Sequence, residues 1–356
     1  MKQMSFDRLR EKGRRAAWRA VVAVAGDLAL RTLVAPRFAG AGLIVMLHRI
    51  TSPDRVSLYP GFEVPVDWLE RAIIIALQRG WTPVSLDDIP RWLEEPHPGR
   101  RFVCFTADDG YLDNYVIGLP VFRRHGIPFA VYVSCGLLQR DSFYWWGALE
   151  ALILKVEHLP VELPDSTGGP CDLPSRSLEE KRAAYDYCDA WAHLWPTRVP
   201  EVFGDLFRRH GVDPKICLDR DIIRLPQLRT FAEDPLVTVG SHAVSHRPLS
   251  MLTDAELLDE LAGSRRFLEV EIGRPVNHLA YPFGQAKMCG VREFSAARES
   301  GYLTGVTTRA GSVFPAHLNS MFSLPRRTAR PTRHGMRDAL YGFPSLLMRQ
   351  SPIQTI

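Results

Sequence analysis

Apolar residues along this chain fall into short continuous runs separated by amphipathic stretches. Gly42–Leu47 (GLIVML), Phe102–Thr106 (FVCFT) and Phe129–Ser134 (FAVYVS) are uninterrupted runs of strand length, as expected of strands buried on both faces. Between them, Val66–Arg79, Leu86–Leu93 and Asp113–His125 carry apolar residues at helical spacing, and Gly126-Ile127-Pro128 ends the last of these. A short strand is predicted from Trp81. Val237–Gly240, Leu279–Tyr281 and Leu303–Val306 read as further strands, with helices from Thr253 to about Ile272 and over Val291–Ser300. Thr253 followed by Glu256 has the spacing of a capping box. Strand and helix alternating through short connections predict an α/β fold with a parallel sheet.

The pattern changes between Leu137 and Asp234. Leu149–Val156, Leu178–Leu194 and Pro200–His210 read as helices, separated by loops such as Leu163–Pro174. Four regions are therefore expected. A basic amphipathic helix (residues 5–34) lies within 1–37. An α/β domain spans 38–136 and 235–330. A mainly helical insertion occupies 137–234, and a peripheral tail covers 331–356.

Composition adds little except at the N-terminus. The 356 residues are 46% hydrophobic and 24% charged, with a net charge of +4, too mild to suggest a nucleic-acid binder. Residues 1–37 hold nine Lys/Arg against three acids, so the positive charge is concentrated there. Such a helix can lie on an anionic membrane surface or pack on its own domain with solvated arginines. The longest apolar run, Phe38–Leu47, has ten residues, short of the ~18–20 a spanning helix needs. Charges interrupt the best signal-peptide candidate, Ala16–Ala35, so a cytoplasmic protein is expected. Six cysteines include no CxxC pair, and reduced, incidental thiols are expected.

Polar clusters stand at the C-terminal ends of the predicted strands, where α/β barrels carry their active face. They are His48, Asp108-Asp109, His242 with His246, and Tyr281-Pro282-Phe283-Gly284. Adjacent carboxylates at a strand end point in different directions, so one can bind a metal while the other faces a substrate. Asp-Asp-Gly alone is equally a turn. Four-residue spacing puts His242 and His246 on one face of a helical turn, within reach of one ion; two surface histidines are the alternative. An Asp with two His, leaving positions open, is a catalytic metal shell rather than a closed structural one.

Taken together these segments carry a resemblance. Phe105-Thr106-Ala107-Asp108-Asp109-Gly110-Tyr111 resembles the first motif of the polysaccharide deacetylases, the NodB-homology family (carbohydrate esterase family 4). Ser241-His242-Ala243-Val244-Ser245-His246, followed by Pro248-Leu249, resembles its His-x-x-x-His motif, and Leu279–Gly284 its third. The family implies an incomplete (β/α) barrel and metal-dependent removal of N-acetyl groups from amino-sugar polymers. By that resemblance Asp108 matches the catalytic base, and Asp109, His242 and His246 the metal triad. The Phe283 amide matches the oxyanion donor, with Tyr111 and Gly284 beside the substrate. The metal would be one divalent ion, for which two His and one Asp suit Zn²⁺ but also Co²⁺, Ni²⁺ or Fe²⁺.

The usual acid histidine, in a C-terminal Leu-x-His segment, is not found. Met46-Leu47-His48-Arg49 instead resembles the circularly permuted branch, similar to the poly-N-acetylglucosamine deacetylases. There the acid comes from the first strand, which gives His48 that role; a histidine capping a core strand is the alternative. Ala107 replaces an aromatic, Ala243 replaces a Ser/Thr, and the third motif lacks the Arg that orients the base. Arg326, in Leu324-Pro325-Arg326, could supply that charge from another strand, with a solvated basic cluster as the alternative. Trp145 and Trp146 either stack on sugar rings or anchor the insertion. The expected partner is an N-acetylated saccharide (a chito-oligosaccharide, polymer or lipid-linked precursor), with peripheral membrane contact through residues 5–34. The alternatives are a non-catalytic carbohydrate-binding relative, or a hydrolase of O-acetyl esters or another amide.

Overall fold

A computed structural model describes residues 39–95, 99–164, 171–332 and 335–340. The basic helix expected over 5–34, with its membrane contact, and most of the tail lie outside the described residues. Among the described residues no helix is long and apolar enough to cross a membrane.

Seven strands form the centre of the molecule: β1 (Gly42–Leu47), β2 (Arg101–Ala107), β3 (Phe129–Val133), β4 (Val237–Ser241), β5 (His278–Ala280), β6 (Thr304–Ala310) and β7 (Leu324–Thr328). They pair in chain order, all parallel, and β7 pairs back onto β1. The ring is thus a closed parallel barrel of seven strands, one fewer than a complete (β/α) barrel. The short strand Trp81–Pro83 pairs with the start of β2 outside the ring.

Side-chain alternation separates two cores. Ile44, Phe102, Cys104, Ala130, Tyr132, Ala280, Val306 and Leu324 fill the barrel interior. Their neighbours Leu43, Val45, Val103, Phe105, Phe129, Val131 and Leu279 face outward into the layer shared with the helices. Ala107, where the first motif usually has an aromatic, belongs to this outer layer, so the change does not reach the barrel mouth.

Helices α1 (Val66–Gln78) and α2 (Leu119–His125) cover the barrel from outside. A one-turn π-helix, Asn114–Gly118, precedes α2. The insertion then builds a core of its own from α3 (Trp145–Lys155), α4 (Leu178–Leu194), α5 (Val199–Arg209) and α6 (Pro214–Asp221). It also contains an antiparallel hairpin, His158–Val161 with Cys171–Pro174, whose strands are too short and too polar to read from periodicity. The chain returns through α7 (Leu225–Glu233), α8 (Asp254–Ile272) and α9 (Val291–Glu299). The expected end of the insertion at 234 needs correcting, because Leu228, Phe231 and Ala232 of α7 pack in the barrel's outer core. Helix α8 starts from Thr253, whose capping box with Glu256 is formed, and stops at Gly273 in the left-handed region. The six cysteines are free.

Candidate active site

Strand alternation also decides what reaches the barrel mouth. Continuing the inward-facing positions by two residues leads from Ile44 through Met46 to His48, and from Phe102, Cys104 and Thr106 to Asp108. On β7 it leads from Leu324 to Arg326, and on β4 from Gly240 to His242. The register Leu47↔Ala107 sets His48 beside Asp108, and the Asp108 amide donates to the Leu47 carbonyl at 3.0 Å.

His48 Nε2 stands 3.9 Å from Asp108 Oδ2. Arg326 grips the same carboxylate with two nitrogens, at 2.6 Å to Oδ1 and 2.7 Å to Oδ2. Its Nε donates to the Thr307 carbonyl. Arg326 is 1% exposed and Arg327 5%, so the alternative of a solvated basic cluster is corrected: parity turns Arg326 into the barrel. Burial pushes the Asp108 carboxyl up, but the Arg326 charge and hydrogen bonds more than compensate, leaving it below its ordinary value. Burial holds His48 below its ordinary value, and the charges of Asp108 and Asp109 only partly offset this.

Asp109 has the wrong parity to follow Asp108 inward. It reaches the mouth because its backbone is left-handed, at φ 73. The expectation that His242 and His246 share a helical turn also fails. The segment after Ser241 is an irregular loop in which Ala243 and His246 are left-handed, at φ 58 and 57. Phe283 is left-handed as well (φ 63), and Gly284 follows at φ 49. A side chain on Gly284 would lie 2.6 Å from the Thr308 amide nitrogen, so only glycine fits. Four of the five non-glycine residues with positive φ among the described residues are therefore Asp109, Ala243, His246 and Phe283. Such backbone costs free energy and persists where the surroundings impose it, commonly at functional sites.

The result is a converging donor set. Asp109, His242 and His246 offer one ligand atom each, all within 4.8 Å of one another. His242 Nδ1 lies 2.7 Å from the Ala280 carbonyl. A carbonyl can only accept, so Nδ1 carries the proton and Nε2 presents a lone pair. Asp109 Oδ1 is buried with no hydrogen-bond partner among the described residues, 3.3 Å from His242 Nε2 and 3.2 Å from His246 Nε2. Burial opposes a positive charge on His242, yet the Asp109 and Asp108 carboxylates raise it above its ordinary value. The site therefore demands positive charge, and two imidazoles with one carboxylate suit a divalent transition-metal ion.

These groups line a cavity of ≈ 430 Å³. Tyr111 is buried beside it; its hydroxyl accepts from Trp146 Nε1 at 2.8 Å and its ring lies against Arg49. Trp146 faces the cavity, 5.0 Å from the His246 ring between centroids. Trp145 is 9% exposed and packs in the insertion core against Phe203, so it anchors the insertion while also reaching the cavity wall. Thr308 of β6 braces the Phe283-Gly284 turn: its hydroxyl donates to the Phe283 carbonyl and its amide to the Gly284 carbonyl.

Glu260 of α8 was not visible in the motif reading. It is 6% exposed and accepts from the amides of Val244 and Ser245, both at 2.8 Å, and from the Ser245 hydroxyl at 2.5 Å. This carboxylate holds the histidine loop. Its only sequence signal is an acid on the inner face of an amphipathic helix, too weak to single out.

An inward Asp-His-His donor set, with a second carboxylate beside it at the mouth of a seven-stranded barrel, is placed on a barrel of the NodB type. The comparisons point the same way. The family model for polysaccharide deacetylase matches residues 195–302, a stretch that contains His242, His246, Phe283 and Gly284. YxkH of Bacillus subtilis (strain 168), a candidate polysaccharide deacetylase, is 20% identical over 301 residues, 84% of this chain and 74% of that protein. Two solved structures share the fold at 15% identity and a TM-score of 0.53. The Streptococcus pyogenes deacetylase PplD, in complex with acetate, matches over 85% of this chain and 96% of its own. IcaB from Ammonifex degensii matches over 85% and 97%. In this segment and in its fold the chain is similar to the polysaccharide deacetylases.

Proposed function

We propose that this protein removes N-acetyl groups from an N-acetylglucosamine-containing oligo- or polysaccharide, and that it requires a divalent ion, most suitably Zn²⁺. The observation that carries this reading is the meeting of Asp108, gripped by Arg326, with His48 and the Asp109-His242-His246 set at one cavity. A divalent ion held by that set supplies Lewis acidity toward an acetamide carbonyl and toward water. Asp108 takes a proton from the attacking water, with Arg326 fixing the direction of its lone pairs. The Phe283 amide is the candidate donor to the oxygen that gains negative charge as water adds to the acetyl carbon. Cleavage of the C–N bond releases acetate, and His48 delivers a proton to the departing nitrogen. A neutral resting His48 acquires that proton within the cycle, and its 3.9 Å approach to Asp108 gives a short route.

The test is acetate release from N-acetylated chito-oligosaccharides by protein supplied with zinc or cobalt. Activity is expected to vanish with a chelator and to fall by about 10²–10⁴-fold in Asp108→Asn, the usual contribution of a general base. Protein that binds one metal ion yet releases no acetate from N- or O-acetylated saccharides would overturn the reading.

A further inference from the structure

The two histidines of the donor set are held in different ways. His242 is buried, with its Nδ1 2.7 Å from the Ala280 carbonyl, so the barrel alone fixes its ring. His246 turns its Nε2 toward Asp109 at 3.2 Å, and no hydrogen bond among the described residues reaches its Nδ1. Its backbone is left-handed, and 15% of its side chain is exposed. The torsion that swings an imidazole is broad. Ligating histidines ordinarily have their second nitrogen tied by a hydrogen bond. Within the protein, something else must hold this ring.

Aromatic packing takes that place. The Trp146 ring lies 5.0 Å from the His246 ring between centroids, tilted by 42°, and the Phe283 ring lies 5.4 Å away, tilted by 45°. Phe283 belongs to the barrel, in the turn braced by Thr308. Trp146 comes from the insertion, in the first turn of α3. Its indole is itself fixed. Nε1 donates to the Tyr111 hydroxyl at 2.8 Å, and the Tyr144 ring meets it edge-on at 4.8 Å. Tyr111 is buried and stands two residues beyond Asp109. One indole therefore grips the loop of one ligand through its N–H and packs against the ring of another.

We infer that Trp146 is a positioning residue for His246, so that the insertion sets how tightly the barrel mouth holds a divalent ion. The inference rests on the proposed role of Asp109, His242 and His246 as ligands of that ion. Trp146 acts through the direction of the His246 lone pair, and Tyr111 acts through Trp146. Losing the ring should therefore cost more than losing the N–H that anchors it.

Cobalt titration of the intact chain tests this without substrate. Trp146→Leu is expected to weaken cobalt binding by at least about tenfold, the scale on which groups that orient ligands act. The visible d–d absorption of the cobalt-loaded protein should change with it. Trp146→Phe keeps a ring beside His246 but has no N–H, so a loss of about threefold is expected, the scale of one neutral hydrogen bond. Tyr111→Phe removes only the acceptor and should match Trp146→Phe, and the double variant should be no weaker than either. Trp191→Leu is the control for a loosened insertion. Trp191 packs in the insertion core against Phe203, with its Nε1 on the Pro164 carbonyl, and its cobalt affinity and spectrum are expected to stay at the wild-type values. Wild-type affinity and spectrum in Trp146→Leu would overturn the positioning role and leave the metal site standing. A loss in Trp191→Leu equal to that in Trp146→Leu would also overturn it, since the insertion would then act through its general stability. Wild-type protein that binds no cobalt would overturn the metal reading and the positioning role together.

Discussion

At the scale of single residues, the buried Asp108–Arg326 pair carries the largest consequence. Both side chains are essentially closed to solvent, and among the described residues Asp108 is the charged group that hydrogen-bonds Arg326. Removing one partner of such a pair typically costs about 3–5 kcal/mol, because the survivor is a buried, uncompensated charge. Arg326→Met is therefore expected to lower unfolding stability by about that amount. Adding Asp108→Asn should restore about 0.5–3 kcal/mol of it, the usual size of coupling between contacting residues. Urea unfolding of the two single variants and the double variant measures this directly. Additive losses would show that the charges are not coupled. Under the proposed function neither Arg326→Met nor the double variant releases acetate at the wild-type rate, so stability and chemistry separate within one series. The pairing was partly legible in the sequence, since Arg326 stands two residues beyond Leu324 and period-2 alternation turns both the same way. What no periodicity reveals is that β7 closes the ring onto β1 and so places Arg326 across from β2.

At the scale of elements, the strands dictate where the ligands start and the loops dictate where they end. Runs such as GLIVML and FAVYVS announce their strands because both faces are buried. Asp108 and His242 then follow from parity. Asp109 and His246 do not, since each depends on a left-handed residue that local propensity disfavours. The helical spacing assumed for His242 and His246 failed for the same reason: four residues of chain can bring two side chains together by a loop as well as by a helix. Something must hold that loop, and Glu260 accepts three hydrogen bonds from it. Replacing Glu260 by Gln keeps the size but exchanges one acceptor oxygen for a donor that faces donors. Metal affinity is expected to drop by about 10–100-fold, as for other groups that orient ligands, with α8 still folded by circular dichroism. Cobalt titration of Glu260→Gln supplies the measurement. An unchanged affinity would mean that the loop holds its shape without the clamp, and that Ala243 in place of Ser/Thr needs no compensation.

At the scale of the whole molecule, the barrel and the insertion have separate cores, so their alignment depends on what joins them. The Ile223 amide donates to the Gly110 carbonyl, and Tyr111 pairs with Ile222 across an isolated antiparallel bridge. The last strand-like residues of the insertion are thereby stitched to the loop carrying Asp109. Arg49, next to His48, reinforces this seam. Its guanidinium lies between Asp113 beside the barrel, at 2.8 Å, and Asp221 of α6, at 3.4 Å. Asp221 also accepts from the Tyr144 hydroxyl and from Arg220. Arg49→Met leaves the largely buried Asp113 without its cation, at a cost of about 3–5 kcal/mol, while Asp221 keeps Arg220. That cost falls on the seam rather than on either core, so the expected response is local opening, not uniform unfolding. Amide hydrogen exchange should accelerate in α3 and α6 while β2 and β3 keep their protection. The cavity that Arg49 lines should open with it. Uniform acceleration across β2, β3 and the insertion would mean that the two cores unfold as one unit, and that the insertion is part of the barrel's own stability rather than a wall docked onto it.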